Sequence, residues 1–337
     1  MSDTVTDELN SYLDGLVETK GLNGSVLVAR EGELFLERGY GLADIELDVP
    51  NTPQTKFRIG SITKPFTALA VMLLQERGDL SVEDMVEIYV PDVPEAWKGI
   101  RLHHLLTHTS GIMHSWALPG FIETMAVRAT SSETIDRFKD QPLIFKTGEG
   151  YSYSGVGYFL LGQVIEKVAG MSYEAFLREA ILDPAGMKNT GPDRYDVLLP
   201  DRAAGYTPTE QGLQNAAPIF MPVLTGGGNL YSTVGDLWRF DRALTSGEFI
   251  SEESYKQMYT TVRQGYGYGW RVANWSGYRG IMHGGGVSGF NAFLLRFPEQ
   301  QVCVVVLSNV NPTPMRDISN RLASIVLDEP TLANPNG

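Results

Sequence analysis

A serine and a lysine stand three residues apart in the segment Ser61-Ile62-Thr63-Lys64, directly before an amphipathic helical stretch over residues 65–77. At a helix start, positions i and i+3 share one face, so the two side chains are expected within one turn of each other. Serine is a weak nucleophile near neutral pH and needs a base within hydrogen-bond reach, which a neutral lysine amine can help supply. The helix N-terminus also favours negative charge that develops beside it. The spacing therefore predicts acyl transfer through Ser61, with an ordinary N-cap serine as the alternative.

The chain that must position this pair has 337 residues, which is enough for a large core and two lobes. Its net charge is −13 and no Lys/Arg-rich run occurs, so nucleic acid is not expected as a partner. No apolar run approaches the roughly 20 residues that span a bilayer, and the acidic N-terminus does not resemble a signal peptide. We therefore expect a cytoplasmic protein without a membrane span, the alternative being export with a signal peptide already removed. Cys303 lies in an apolar run and is predicted to be a buried core thiol.

The two ends of the chain have mirror-image patterns. An amphipathic helix over residues 5–19 precedes strand-like runs, and further strand-like runs precede a helix over 315–327. The predicted strands are 25–30, 33–38, 266–273, 278–283, 289–297 and 302–308. These patterns favour an α/β (α+β) fold in which one antiparallel sheet is built from both ends and flanked by the terminal helices.

The middle of the chain is different, because apolar residues there recur at helical spacing. Helices are predicted over residues 121–127, 132–138, 156–168, 172–181 and 234–244, as well as the one after Lys64. We interpret residues 1–58 and 259–337 as the sheet lobe and residues 59–258 as an inserted, mostly helical lobe. The interface between two such lobes is the expected place for an active site.

Four segments, in order along the chain, resemble the serine β-lactamase and penicillin-recognising family. Residues 58–68 are similar to its active-serine segment, and residues 105–112 read Leu-Leu-Thr-His-Thr-Ser-Gly-Ile, a family hallmark. Residues 148–162 look like the segment with the family's Tyr-x-Asn motif, and residues 281–290 look like its Lys/His-x-Gly strand. The resemblance covers roughly residues 5–327 and implies a β-lactamase/transpeptidase-like fold. Class C β-lactamases, D,D-carboxypeptidases, D-aminopeptidases and lactamase-like esterases are the most similar members.

The resemblance also implies roles for individual residues. Ser61 would form an acyl-enzyme, with Lys64 and Tyr153 moving the proton. Tyrosine acts as a base only if nearby cations lower its pKa, and Lys64 and a protonated His283 would supply that charge. The backbone N–H groups of Ser61 and Gly286 would form the oxyanion hole.

Glycines are the second part of the implied site. Gly285 and Gly286 would let the strand approach the substrate closely. Separately, no cofactor or metal is expected. With Tyr153 in the motif position, Gly155 replaces the asparagine that contacts a substrate amide. In the alternative register, Tyr151 takes the motif position, but the downstream match is lost.

Two polar groups of the family pattern are therefore missing. Besides the asparagine, the hydroxyl that helps hold a substrate carboxylate is replaced by Gly284. Sites without such hydrogen bonds discriminate less strongly, which favours esters over peptides or β-lactams. Ser152, Ser154 or a water molecule could instead contact the substrate amide in place of the asparagine.

The leading prediction is a serine hydrolase acting on small or medium acyl esters. A D-amino-acid peptidase, D,D-carboxypeptidase or weak β-lactamase is the nearest alternative, followed by a non-catalytic binding protein and an acyltransferase using the same residues. The expected partner is a small ester or peptide, and the sequence does not define the oligomeric state. A structural strand histidine is the alternative for His283. His103, His104 and His108 are predicted to be structural, because no glutamate accompanies them as in H-E-x-x-H.

Overall fold

The computed structural model describes residues 2–329 and has a mixed α/β architecture. The helices are α1 (Ser2–Lys20), α2 (Thr63–Glu76), α3 (Leu102–Leu106), α4 (Phe121–Thr124), α5 (Ser131–Asp136), α6 (Gly155–Ala169), α7 (Tyr173–Leu177), α8 (Val234–Ser246), α9 (Glu252–Tyr259) and α10 (Met315–Leu327). The strands are β1 (Gly24–Arg30), β2 (Glu33–Tyr40), β3 (Leu42–Asp44), β4 (Val49–Pro50), β5 (Phe57–Arg58), β6 (Gly191–Pro192), β7 (Tyr206–Thr209), β8 (Gly212–Asn215), β9 (Leu230–Ser232), β10 (Arg271–Trp275), β11 (Tyr278–Val287), β12 (Phe290–Phe297) and β13 (Val302–Ser308).

The main sheet joins the two ends of the chain. Its six antiparallel strands have the order β10-β11-β12-β13-β1-β2, so the last strand in sequence pairs with the first. Alternate residues of a strand point to opposite faces, and Val26 and Val28 pack with the terminal helices α1 and α10 while Leu27 faces the larger core around α2. The predicted fold class, an antiparallel sheet with packed terminal helices, is confirmed.

The first strand of the C-terminal run differs from its prediction. It was expected over 266–273 but is formed by Arg271–Trp275. Gly269 has a φ of +75°, and a Cβ there would lie 2.8 Å from the Lys64 carbonyl oxygen. The aromatic and glycine-rich residues before Arg271 therefore turn and pack against α2 rather than extending the sheet. The short helix α9, which Ser251 caps by accepting from the Ser254 N–H, was not predicted.

Strand β11 passes directly against the turn that holds the serine. A Cβ on Gly285 would lie 1.9 Å from the Ile59 carbonyl oxygen, and one on Gly60 would lie 2.9 Å from the Gly286 nitrogen. Gly60 also has a φ of +50°, a region that glycine adopts without steric cost. Glycine on both segments therefore lets the two backbones touch.

Cys303 is buried in β13, as expected for a core thiol. Across residues 2–329, no helix combines the length and the apolar character needed to cross a membrane.

Candidate active site

Ser61 and Lys64 lie within hydrogen-bond distance of each other at the entrance to α2. Ser61 belongs to a 3₁₀ turn over Gly60–Ile62, and Lys64 is the second residue of the helix that follows. Lys64 Nζ is 3.0 Å from Ser61 Oγ and 2.7 Å from the carbonyl oxygen of Gly227. The predicted pair is thus present, and Gly227 is a partner that the local spacing did not reveal.

Burial changes the protonation of Lys64. The side chain is 2% exposed, and among residues 2–329 no carboxylate forms an ion pair with it. Burial without a countercharge disfavours the ammonium form and lowers the pKa of Lys64 to about 7. In the amine form, one N–H donates to Gly227 while the lone pair accepts from the Ser61 hydroxyl, which is the arrangement of a nucleophile and its base.

Tyr153 reaches the same serine from loop 150–154, which leads into α6. Its side chain lines the same cavity as Ser61, and Lys64 Nζ lies 4.8 Å from the centroid of its ring. Burial raises the pKa of the Tyr153 phenol, and the neighbouring Ser61 hydroxyl offsets this only in part. The charge of Arg271 lowers this pKa, as expected of a neighbouring cation, but burial outweighs it, so the net lowering that a tyrosine base needs is not found.

His283 is close to the site, but both ring nitrogens have partners. Nδ1 lies 2.7 Å from the carbonyl oxygen of Gly284 and must donate to it, while Nε2 lies 2.8 Å from the Tyr266 hydroxyl and accepts from it. Burial, and secondarily the charge of Lys64, lower the pKa of His283 to about 3. The expected protonated His283 is therefore corrected to a neutral imidazole held by Tyr266 and its own strand.

The glycines form the backbone wall of the site. Gly155, Gly284 and Gly286 line one cavity with Ser61, whereas Gly285 is packed behind it against Ile59. The nitrogen of Ser61 lies 3.1 Å from the position of a Cβ on Gly285, which places the two predicted oxyanion donors on touching segments.

The cavity has a volume of about 360 Å³. Besides the residues above, it is lined by His114, Ser115, Trp116, Phe159, Leu224, Gly228, Arg271, Met282, Phe293 and Arg316. Sequence reasoning did not find Arg271 or Arg316. The hairpin register, in which Arg271 pairs with Met282 beside His283, is the signal that could have identified Arg271. No sequence signal marks Arg316 at the start of α10.

Ser115 fills the space next to Gly155. A Cβ on Gly155 would lie 3.0 Å from Ser115 Oγ and 3.4 Å from the ring of Phe159. Ser154, one of the expected substitutes for the asparagine, donates instead to the Met113 carbonyl and caps α6. Ser152 does not line the cavity. The hydroxyl nearest the vacated position is therefore that of Ser115.

The three histidines considered for metal binding have separate structural partners. His103 Nδ1 is 2.8 Å from the Tyr268 hydroxyl, and His104 Nδ1 accepts from the Arg101 N–H. His108 Nδ1 accepts from the Ser154 N–H.

Comparison with known proteins gives the same family over nearly all of the chain. The β-lactamase family model matches residues 9–328. Penicillin-binding protein 4* of Bacillus subtilis is 31% identical over 88% of this chain and 71% of its own length, and the putative penicillin-binding protein PbpX of the same organism is 30% identical over 96% and 80%. The structure of an octameric penicillin-binding protein homologue from Pyrococcus abyssi is 32% identical, with a TM-score of 0.85 over 96% of this chain and 77% of that one. The chain therefore belongs to the β-lactamase family of serine hydrolases.

Proposed function

We propose that this protein hydrolyses esters with small or medium acyl groups through an acyl-enzyme on Ser61. The observation that carries the proposal is the buried Lys64 amine, 3.0 Å from Ser61 Oγ and with a pKa lowered to about 7. A base with a pKa near the working pH has both the free lone pair and the basicity that proton transfer requires.

Acylation follows from this geometry. Lys64 takes the hydroxyl proton as Ser61 Oγ bonds to the substrate carbonyl carbon, and the oxyanion that forms accepts from the N–H groups of Ser61 and Gly286. Tyr153, a neutral phenol in the free enzyme, lines the same cavity, passes a proton to the leaving alkoxide, and takes a proton back from the Lys64 ammonium, which returns to the amine. The new C–O bond replaces the old one, and the alcohol departs.

Deacylation uses the same groups in reverse order. A water molecule takes the place of the alcohol, gives its proton to the Lys64 amine, and attacks the acyl carbon. Ser61 Oγ leaves and recovers a proton from Lys64, which restores the free enzyme.

The walls of the cavity support an ester substrate. Gly155 and Gly284 offer no side-chain hydrogen bond to a substrate amide or carboxylate, and Trp116, Phe159 and Leu224 present apolar surface. A volume of about 360 Å³ suits a small acyl group, since ligand sites start near 300 Å³.

A D-amino-acid peptidase is the second candidate, and one observation favours it. Arg271 and Arg316 both line the cavity, and two guanidinium groups attract a carboxylate such as the end of a peptide. Two relatives of this chain are named penicillin-binding proteins, which is a second reason to test a peptide substrate. A peptidase would form the same acyl-enzyme, so the two candidates differ in turnover rather than in nucleophile.

Labelling with a fluorophosphonate tests the nucleophile. Ser61 Oγ displaces fluoride from phosphorus, so intact mass spectrometry should show one phosphonyl adduct in the wild type and none in Ser61→Ala. Ser152→Ala is the matched control, because that serine lies outside the cavity and should leave labelling intact. A folded wild type with no adduct would favour the non-catalytic binding protein.

Substrate comparison separates the candidates. We expect p-nitrophenyl acetate and butyrate to be turned over faster than a D-Ala-D-Ala peptide or a chromogenic cephalosporin. Saturable peptide hydrolysis that collapses in Arg271→Gln would instead establish the peptidase. Product that appears only when an alcohol acceptor is added would establish an acyltransferase.

A further inference from the structure

One residue outside the cavity holds Tyr153 from both sides. Tyr153 lies in loop 150–154, where no helix or strand fixes the backbone. The Ser152 N–H donates to the His108 carbonyl oxygen at 3.0 Å, and the Ser154 N–H donates to His108 Nδ1 at 3.1 Å. The backbone N–H groups on either side of Tyr153 therefore both donate a hydrogen bond to His108.

The His108 ring also packs on the tyrosine itself. The ring centroids of His108 and Tyr153 are 4.3 Å apart, and the rings of Tyr158 and Tyr266 lie 5.2 and 4.5 Å from the same imidazole. His108 is 1% exposed, so these neighbours enclose it almost completely. Backbone and ring contacts together leave Tyr153 little freedom to move relative to Ser61.

The arrangement has a conformational and an electrostatic cost. His108 has a φ of +59°, a left-handed conformation that residues with a Cβ seldom adopt. Because Nδ1 accepts a hydrogen bond, the neutral ring carries its proton on Nε2, and within residues 2–329 this nitrogen has no hydrogen-bond partner. Strained backbone and unpaired buried donors concentrate at functional sites, where a required geometry outweighs their cost.

The imidazole is also kept in the form that accepts. Burial, and then the charge that Lys64 carries when protonated, hold the pKa of His108 well below its usual range. The lone pair on Nδ1 therefore remains available to the Ser154 N–H at neutral pH.

We propose that His108 is a positioning residue that places the Tyr153 hydroxyl against Ser61 and thereby sets the rate of acyl transfer. The inference rests on the proposed function, since it assigns the residue that aligns one of its proton carriers. It goes beyond the sequence interpretation, in which His108 was only a structural histidine.

Two substitutions separate alignment from simple packing. Both glycine and asparagine tolerate the left-handed backbone, but His108→Gly removes the acceptor, whereas His108→Asn places Oδ1 where Nδ1 stood. A displaced proton carrier should lower kcat by about 10- to 100-fold in His108→Gly with little change in KM, and His108→Asn should recover most of that loss. If His108→Gly does not fold, His108→Ala replaces it in the same comparison.

His104 supplies the matched control. Its Nδ1 also accepts from a backbone N–H, that of Arg101 at 3.1 Å, but its partner is the start of α3 rather than the loop of Tyr153. His104→Ala should lower the melting temperature while leaving kcat unchanged. A general loss of helix packing would instead reduce kcat in both histidine variants.

The decisive readout is a double-mutant cycle with Tyr153→Phe. Without the hydroxyl there is nothing to align, so His108→Gly should cost much less in that background than in the wild type. Equal losses in both backgrounds, or a wild-type kcat in His108→Gly, would overturn the proposal. Fluorophosphonate labelling keeps the two hypotheses apart: an unlabelled wild type refutes the nucleophile, and a labelled wild type with an equally fast His108→Gly refutes the positioning role alone.

Discussion

Lys64 and Arg296 are both cations in the interior of this protein, and their partners differ. Lys64 is 2% exposed and contacts a carbonyl oxygen and a serine hydroxyl. Arg296 is 1% exposed, and its Nε donates to Asp241 Oδ1 at 2.6 Å while other guanidinium nitrogens donate to Tyr259 and Thr245 at 2.8 Å.

The difference shows how one fold separates stability from reactivity. Burial lowers the pKa of Lys64 to about 7, whereas for Arg296 the lowering by burial is outweighed by Tyr259 and Asp241, so its pKa is raised. A buried cation with a carboxylate stays charged and ties elements together. A buried cation without one exchanges its proton near neutral pH, which is the property a base needs.

The largest effect is expected from removing the unpaired cation. Lys64→Met should lower kcat/KM for p-nitrophenyl butyrate by about 10²–10⁴-fold, because Ser61 loses its base. Lys56→Met is the control, since Lys56 is also buried but donates to the Pro200 carbonyl and lies 3.8 Å from Asp201. Unchanged kinetics in folded Lys64→Met would assign the base to Tyr153 instead.

Removing the paired cation should act on stability. Arg296→Met leaves Asp241 buried without its partner, and breaking such pairs costs about 3–5 kcal/mol in the free energy of unfolding. Urea denaturation would measure it, and Arg296→Met/Asp241→Leu should recover much of the loss. Lys146→Met, which breaks an exposed pair with Glu149, should show no comparable change. A larger loss in the double variant than in Arg296→Met would contradict this interpretation.

Lys64→Met, which should lower activity, should raise the free energy of unfolding. The unfolded chain binds the Lys64 proton up to its ordinary pKa of 10.5, and the folded protein only up to about 7, so wild-type stability rises with pH between these values. Lys64→Met should therefore be more stable than the wild type by on the order of 5 kcal/mol at pH 6. The advantage should shrink at pH 9, and denaturation at both values tests it. An advantage independent of pH would mean that packing, and not charge, is responsible.

The smallest expected effect is the pH dependence of the reaction. Only the amine form of Lys64 accepts the serine proton, so kcat/KM should fall about tenfold per unit as the pH drops below 7. Initial rates with a non-ionising ester between pH 5 and 9 would show this limb. Lys64→Arg, which stays protonated, should be inactive throughout. A kcat/KM that does not change with pH would mean that the protonation of Lys64 does not control the reaction rate.

The fold could be predicted largely from local patterns. The strand over Val302–Ser308 and the helix over Met315–Leu327 have their predicted bounds, because an uninterrupted apolar run and a clear helical period marked them. The strand expected at 266 failed since a tertiary contact with Lys64 bends the chain there. That contact joins segments about 200 residues apart and leaves no local signal.

The residues that line the site could be predicted from the sequence, but their protonation states could not. Ser61, Lys64, Tyr153 and His283 do surround one cavity, and their roles stay predictions. Their protonation depends on burial by distant segments such as Gly227, which no motif specifies. Ser115 was also missed, because it reaches Gly155 from a short 3₁₀ helix without a motif of its own.

The close backbone contact between Gly60 and strand β11 has a consequence for when the active site forms during folding. The two segments that carry the predicted oxyanion donors are more than 200 residues apart, and they meet only when strands from the two ends of the chain have paired. Pairing across so long a loop is slow, whereas helices form from neighbouring residues. During refolding, catalysis should therefore return later than helical circular dichroism, so that ester turnover reports the closing of the sheet.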